Sequence, residues 1–239
     1  MKWGVVIVAA GRGTRLGRPK QLLNVAGLPL VGWCMRTFAS VPEICAAVVV
    51  TEQEHLDAMR SLAARMFASI PCGVVTGGRT RQESVRCGLD ALPPSCAAVL
   101  VHDGARPLVT ASDVRAGMTQ VRPGRGAVLA TPVVDTVKVV TETTMMVERT
   151  LDRSTLWAAQ TPQFAMVEDL RRAHTDARAH GIVVTDDVGL LERLGLEVAV
   201  VPASGENFKV TLPDDIARAE VLLNDRLDGW SARVSGAGT

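Results

Sequence analysis

Residues 5–21 read VVIVAAGRGTRLGRPKQ and join an apolar strand directly to a glycine-rich, cationic turn. Glycine tolerates positive φ and lets backbone N–H groups approach a ligand closely. Positive charge is concentrated in the same turn, on Arg12, Arg15, Arg18 and Lys20. The combination predicts a binding site for a nucleotide polyphosphate, although glycines alone are as common in an ordinary strand-to-helix turn.

The glycine spacing excludes two frequent phosphate-binding motifs. Glycines 11, 13 and 17 do not form the G-x-G-x-x-G fingerprint of dinucleotide-binding enzymes, and the chain has no G-x-x-x-x-G-K-[ST] sequence. Neither a nicotinamide enzyme nor a P-loop NTPase is therefore favoured.

Composition is that of an ordinary globular protein. The 239 residues are 47% hydrophobic and 21% charged, with a formal charge of +1, and they predict one domain over residues 1–226. The near-neutral charge disfavours a nucleic-acid partner, and no apolar run approaches the roughly 18 residues that span a bilayer. Five scattered cysteines and four scattered histidines suggest no structural metal site. We expect a cytoplasmic protein that binds neither nucleic acid nor membrane.

Short valine-rich runs alternate with helical stretches along the chain, which predicts the α/β class with a doubly wound, mainly parallel sheet. The predicted strands are 3–9, 46–51, 73–76, 97–102, 127–134 and 197–201. The predicted helices are 30–40, 52–67, 80–92, 112–121, 166–180 and 186–194, followed by a last helix that begins near Pro213.

Residues 136–156 show a different pattern, with two alternating runs around the polar turn Thr-Glu-Thr-Thr. They predict a protruding β-hairpin arm, about 134–156 with its flanks. An isolated hairpin is marginal in water, so we expect the arm to pack on a second copy of the chain in a homodimer. The Gly-, Ser- and Ala-rich residues 231–239 predict a disordered tail.

The motif VHDGARP at 101–107 follows an apolar strand and places Asp103 at the strand end. In an open parallel sheet ligands bind beyond the carboxyl ends of the strands. A carboxylate there suits Mg²⁺, which takes one or two carboxylates together with substrate phosphates. The alternative is that Asp103 caps a turn or pairs with Arg106.

Two further segments carry candidate ligand-binding residues. GGRTRQESV at 77–85 opens a helix and offers Gly78, Arg81 and Ser84 to a ligand, although helix capping by Thr80 and Glu83 explains the same residues. NFKVT at 207–211 places Lys209 before the last helix, where it could reach a phosphate or simply be solvated.

Taken together, these segments resemble the 2-C-methyl-D-erythritol 4-phosphate cytidylyltransferases of the non-mevalonate isoprenoid pathway, over residues 4–222. Their order and spacing carry the resemblance more than any one motif. The matching sequences are AAGxGxR with PKQ, GGxxRxxSV, VHDxARP, DTxK at 135–138, RxxLWxxQTPQ at 153–163, TDD at 185–187 and NxKVT.

The resemblance implies a Rossmann-like nucleotidyltransferase that transfers cytidylate from CTP to a sugar-alcohol phosphate with Mg²⁺. It implies that Arg15, Lys20 and Lys209 are catalytic and that Asp103 holds the metal. The implied nucleotide-binding residues are Ala9, Ala10, Gly11, Gly13, Gly78, Arg81 and Ser84. The implied acceptor-binding residues are Asp103, Arg106, Thr161 and, on the arm of a second subunit, Thr136 and Arg153.

Three other functions fit the same motifs less well. A cytidylyltransferase for ribitol 5-phosphate or another polyol phosphate would share nearly all of them. A nucleotide-binding regulator would keep the site without turnover. A sugar nucleotidyltransferase that uses UTP or GTP would not need the arm motifs.

Overall fold

The computed structural model describes residues 1–11 and 20–235, with side chains as far as residue 227. Two of the predicted site residues, Gly13 and Arg15, lie outside the described residues. The strands are β1 (Trp3–Val8), β2 (Asn24–Val25), β3 (Leu28–Pro29), β4 (Ile44–Thr51), β5 (Cys72–Thr76), β6 (Ala98–Asp103), β7 (Arg125–Pro132), β8 (Lys138–Val140), β9 (Val147–Thr150), β10 (Trp157–Met166) and β11 (Glu197–Pro202). The α-helices are α1 (Leu30–Ala39), α2 (Leu56–Met66), α3 (Arg81–Asp90), α4 (Ala111–Met118), α5 (Val167–Ala179), α6 (Val188–Arg193) and α7 (Pro213–Ser235).

Seven strands form the central sheet, in the order β11-β7-β10-β6-β1-β4-β5. All neighbouring pairs are parallel except those that β10 makes with β6 and β7. The carboxyl ends of β1, β4, β5 and β6 therefore lie along one edge. The predicted mainly parallel α/β sheet is confirmed.

Helices cover both faces of the sheet, because the side chains of each central strand point alternately to its two sides. On β1, Val5 and Ile7 pack with α1, α2 and α4, whereas Val6 packs with α3, α5 and α6. These strands are buried on both faces, which is why their sequences read as continuous apolar runs. The arrangement is the predicted doubly wound one.

Strand β10 is missing from the sequence prediction. Its middle is polar and contains Pro162, a pattern that argues against a central strand. In the structure the pairing of β10 with β7 shifts between Ala159 and Gln163, and the residues between them leave the regular ladder. Thr161 lies in this irregular stretch, beside the end of β6.

The predicted arm is present as the antiparallel pair β8 and β9. The structure departs from the sequence prediction at the C-terminus, because α7 continues to Ser235 and thus past Ser231, where a disordered tail was expected to begin. Good helix formers such as Ala232 and Arg233 continue the helical pattern there. Among the described residues, no helix combines the length and apolar character needed to cross a membrane.

Helix α4 approaches the sheet closely at Gly117, and this contact gives a stability prediction. A Cβ atom built on Gly117 would lie 2.2 Å from the ring of the fully buried Phe164. We expect Gly117→Ala to lower the free energy of unfolding by about 1–3 kcal/mol, because overpacking a dense core forces neighbours to shift. Denaturant unfolding measures the loss.

A glycine in helix α1 provides the matched control. A Cβ atom on Gly32 would meet Leu62 Cδ1 at 3.6 Å, an ordinary contact distance. Gly32→Ala should be neutral or stabilise the protein by up to about 1 kcal/mol through helix propensity. Equal effects of the two substitutions would contradict the close approach of α4.

Candidate active site

The end of β1 meets the turn that opens α3. The backbone N–H of Ala9 donates to the carbonyl of Val50 at 2.7 Å, which holds the chain on the sheet as it leaves β1. A Cβ atom on Gly77 would lie 2.7 Å from both the Cβ of Ala10 and the Oγ of Ser84. The structure thus brings the first glycine segment and the GGRTRQESV turn together, and only glycine fits between them.

Helix α3 is capped as one sequence alternative proposed. The Oγ1 of Thr80 accepts a hydrogen bond from the N–H of Glu83 at 3.1 Å. The Oγ of Ser84 accepts from the N–H of Gly78 at 3.1 Å and donates to the carbonyl of Thr80 at 2.9 Å. Capping does not exclude a binding role, but the N–H of Gly78 and the hydroxyl proton of Ser84 both already have partners within the turn.

Asp103 lies at the centre of the site. Its Oδ1 accepts a hydrogen bond from Arg81 Nε at 3.0 Å, and its Oδ2 accepts one from Lys209 Nζ at 2.8 Å. Burial alone would raise the pKa of Asp103, but the two cations outweigh it and hold that pKa well below the ordinary value. The carboxylate pairs with Arg81 and Lys209, whereas Arg106, the partner that the sequence alternative named, donates to the carbonyl of Asn207.

Arg81 also binds a second carboxylate. Its Nη1 and Nη2 donate to Asp187 at 3.1 and 2.8 Å, a bidentate pair with a carboxylate that is 3% exposed. Burial would lower the pKa of Arg81, but Asp187 and Asp103 raise it above its ordinary value. Asp187 was part of the predicted TDD motif but had no predicted role of its own.

Two lysines reach the same edge from opposite ends of the chain. Lys20 is 8% exposed, and its Nζ donates to the carbonyl of Val210 at 2.8 Å. Val210 is buried in a cluster with Trp33 of α1 and Leu223 of α7, and it fixes the segment that carries Lys209. The fold therefore places Lys20 beside the segment that carries Lys209.

Thr161 lies against Asp103 but differs from the expectation for a phosphate ligand. Its side chain is 4% exposed, and its Oγ1 accepts a hydrogen bond from the N–H of Asp103 at 3.0 Å. The same oxygen lies 3.2 Å from Nδ1 of His102, a fully buried imidazole. Burial lowers the pKa of His102 to about 4, so the ring is neutral at pH 7. His102 belongs to the VHDGARP motif but had no predicted role of its own, because it lies on a buried strand.

Asn207 joins three of these segments. Its side-chain Nδ2 donates to the main-chain carbonyl of Thr161 and to Gln160 Oε1, each at 2.9 Å. The main-chain carbonyl of Asn207 accepts a hydrogen bond from Arg106 Nη1 at 2.7 Å. The side chain is fully buried. Its position within the NxKVT motif was the only sequence signal for it.

The two predicted residues of the arm lie apart from this cluster. Thr136 is exposed beside β8, and Arg153 is exposed in a helical turn after β9, where its Nη1 donates to the carbonyl of Val134. The arm also exposes large apolar side chains. The most exposed are Val134, Met145, Met146 and Val147, between 57% and 79% exposed.

Comparison with known proteins agrees with this geometry. The sequence model of the 2-C-methyl-D-erythritol 4-phosphate cytidylyltransferase family matches residues 4–225. The protein of that name from Nostoc sp. (strain PCC 7120) is 40% identical over 224 residues, covering 93% of this chain and 98% of the relative. That of Pelotomaculum thermopropionicum is 40% identical over 242 residues, covering 98% and 99%.

Solved structures show the same likeness. The 4-diphosphocytidyl-2C-methyl-D-erythritol synthase of Anaerococcus prevotii superposes with a TM-score of 0.83 at 28% identity, over 93% of this chain and 98% of the other. The 2-C-methyl-D-erythritol 4-phosphate cytidylyltransferase of Thermus thermophilus gives 0.74 at 33% identity, with the same coverage. Fold, motif order and overall similarity agree, and the chain belongs to the 2-C-methyl-D-erythritol 4-phosphate cytidylyltransferase family.

Proposed function

We propose that the protein transfers a cytidylyl group from CTP to 2-C-methyl-D-erythritol 4-phosphate, releasing pyrophosphate and 4-diphosphocytidyl-2-C-methyl-D-erythritol. One observation supports this most directly: Arg81 and Lys209 both bind Asp103 beside the glycine segment at the end of β1, and Lys20 donates to the carbonyl of Val210, the residue that follows Lys209. A reaction between two polyanions needs positioned cations more than a covalent nucleophile or a strong base. The acceptor phosphate is itself the nucleophile.

Each cationic residue has a distinct proposed role. Lys20 and Lys209, with Arg15 from the glycine turn, would offset the negative charge that accumulates as the acceptor phosphate attacks the α-phosphate. Ala9, Ala10, Gly11, Gly13, Gly78 and Ser84 would bind the nucleotide, and Arg106 the acceptor. For Arg81 we favour an indirect role, since its guanidinium already binds two carboxylates and holds Asp103 in place.

The residues fit Mg²⁺ only as an ion that is shared with substrate phosphates. Among the described residues, no three His, Cys, Asp or Glu side chains form a cluster that could hold a metal. Asp103 is a single carboxylate, and each of its oxygens keeps a lone pair beyond the one that binds a cation. That matches the usual Mg²⁺ site of one or two carboxylates completed by phosphates and water. When bound, the ion would neutralise charge on the triphosphate and the leaving pyrophosphate.

The arm supports a homodimer with shared active sites. Its exposed apolar residues need a partner surface, since a free two-stranded hairpin is marginal in water. Thr136 and Arg153 would then bind the acceptor phosphate in the site of the second subunit. The five cysteines are free thiols, which suits the proposed cytoplasmic location.

Mixing two inactive variants tests the shared site. We expect Arg153→Ala and Lys20→Met to be nearly inactive alone, and a refolded equimolar mixture to recover about a quarter of wild-type turnover, because half of the dimers are mixed and each has one intact site. Light scattering of the wild type should give twice the monomer mass. A monomer, or a mixture no more active than its components, would contradict the proposal.

The reaction is tested with purified protein, CTP and Mg²⁺. 2-C-methyl-D-erythritol 4-phosphate and D-ribitol 5-phosphate are offered separately, pyrophosphate is measured, and each CDP product is confirmed by mass. We expect turnover with the first acceptor. Turnover with the second alone would reassign the protein to polyol activation, and turnover with neither would favour a binding function.

A further inference from the structure

His102 lies next to Asp103, and both nitrogens of its ring have a hydrogen-bond partner. The ring is fully buried at the end of β6, and Phe38 contacts it edge-on with ring centroids 5.0 Å apart. Its Nε2 lies 3.0 Å from the carbonyl oxygen of Arg106, and its Nδ1 lies 3.2 Å from Thr161 Oγ1. Both ring nitrogens therefore have a polar partner.

These partners fix the tautomer. A carbonyl oxygen can only accept a hydrogen bond, so Nε2 must carry the proton that it donates to Arg106. An uncharged imidazole carries one ring proton, and the contact with the carbonyl of Arg106 places it on Nε2, so Nδ1 is the acceptor. The hydroxyl of Thr161, whose Oγ1 lies 3.2 Å from Nδ1, has the proton that this acceptor binds.

The hydroxyl of Thr161 is consequently committed in both directions. Its proton is donated to His102, and one of its lone pairs accepts the N–H of Asp103 at 3.0 Å. A phosphate oxygen also accepts hydrogen bonds, so Thr161 has no proton left to donate to the acceptor phosphate. The family resemblance had implied that Thr161 binds this phosphate. Thr161 can offer a substrate only a lone pair.

We propose that His102 is a positioning residue of the cytidylyl transfer, which orients the Thr161 hydroxyl and through it the main chain of Asp103. The proposal rests on the proposed function. The N–H of Asp103 is held by Thr161 while its carboxylate spans Arg81 and Lys209, so a rotation of this residue would move both cations. Removal of residues that orient a metal ligand typically lowers activity 10- to 100-fold, and Asp103 is the proposed Mg²⁺ ligand.

The tautomer can be observed without any assay of activity. In protein labelled with ¹⁵N-histidine, long-range ¹H–¹⁵N correlation spectra at pH 7 should show several histidine rings, and the ring whose signals disappear in His102→Gln should carry its single proton on Nε2. A His102 ring protonated on Nδ1, or on both nitrogens, would overturn the proposal. This result does not depend on whether the protein uses 2-C-methyl-D-erythritol 4-phosphate, whereas a lack of turnover by wild-type protein would overturn the proposed function.

Two conservative substitutions separate the two contacts of the ring. The Oδ1 of an asparagine replaces Nδ1 as an acceptor for Thr161, whereas the Nε2 of a glutamine replaces the donor to Arg106. We expect His102→Gln to lower kcat about 10- to 100-fold with little change in KM for CTP. His102→Asn should keep most of the wild-type kcat, because it retains the acceptor for the Thr161 hydroxyl. Equal kcat values for the two variants would overturn the proposal.

A double variant tests whether His102 acts through Thr161. Thr161→Val should lower kcat as much as His102→Gln, and the double variant should lose no more than either single one, because residues that act in series are not additive. Losses that multiply would overturn the proposal. His174→Gln is the matched control: this histidine is 4% exposed on α5, its pKa is also lowered to about 4 by burial, and its loss should leave kcat unchanged while melting temperature falls.

Discussion

Lys20→Met should lower kcat about 100- to 1,000-fold while the protein stays folded. Methionine keeps the length and apolar surface of the buried lysine side chain but removes its charge. The ammonium group lies 2.8 Å from the carbonyl of Val210, next to Lys209, and so is held at the edge where the triphosphate would bind. The magnitude is that of losing one pre-positioned group that stabilises transition-state charge.

Pyrophosphate release at saturating CTP and acceptor measures this effect. Circular dichroism and thermal melting of the same preparation show whether the fold persists. Lys2→Met is the matched control, since Lys2 is an exposed lysine before β1 and its charge has no place in the site. Unchanged kcat in Lys20→Met would remove Lys20 from the catalytic group.

The fold was predictable because its strands are buried on both faces. Val5, Val6 and Ile7 all enter the core, so the apolar run identifies β1 without any knowledge of its neighbours. Strand β10 was not predictable on the same grounds. Gln160, Thr161 and Pro162 interrupt its apolar pattern, and only the tertiary contacts of these residues explain why a strand runs there.

The candidate site was predictable wherever charge or glycine stood out at a strand end. Asp103 carries such a signal at the end of β6 and the structure pairs it with Lys209, while Lys20 from the cationic segment binds the carbonyl next to Lys209. His102 and Asn207 appear only as members of the VHDxARP and NxKVT motifs, without a predicted role, because a buried polar residue acts through partners that are distant in sequence. Asn207 binds Thr161, which is 46 positions earlier in the chain.

Charge balance explains why so many ionised groups tolerate burial here. Arg81 and Lys209 carry two positive charges, while Asp103 and Asp187 carry two negative ones. Each carboxylate oxygen in the group accepts a hydrogen bond from a cation. Lys209 is exposed, but Asp103 and Asp187 are buried and Arg81 is partly buried, so removing either carboxylate leaves an uncompensated charge on Arg81 away from bulk water, and this is costly.

Asp103→Asn should therefore lower both stability and turnover. An amide keeps the shape of the carboxylate but loses its charge and one acceptor, so either Arg81 or Lys209 must give up its hydrogen bond. We expect the free energy of unfolding to fall by about 3 kcal/mol at pH 7, the lower end for breaking a buried ion pair. kcat should fall at least 100-fold, because Lys209 is released and the proposed Mg²⁺ ligand is weakened.

The pH dependence of that stability loss distinguishes charge from shape. The pKa of Asp103 is lower in the folded protein than the ordinary value of 3.8, so the folded state binds its proton more weakly than the unfolded state does. The stabilisation is then complete above the ordinary pKa and is lost as the pH falls below it. Guanidinium unfolding of both proteins should show a constant difference from pH 7 to about pH 5, which shrinks below pH 4. A difference that does not change with pH would mean that the shape of Asp103, and not its charge, holds Arg81 and Lys209 in place.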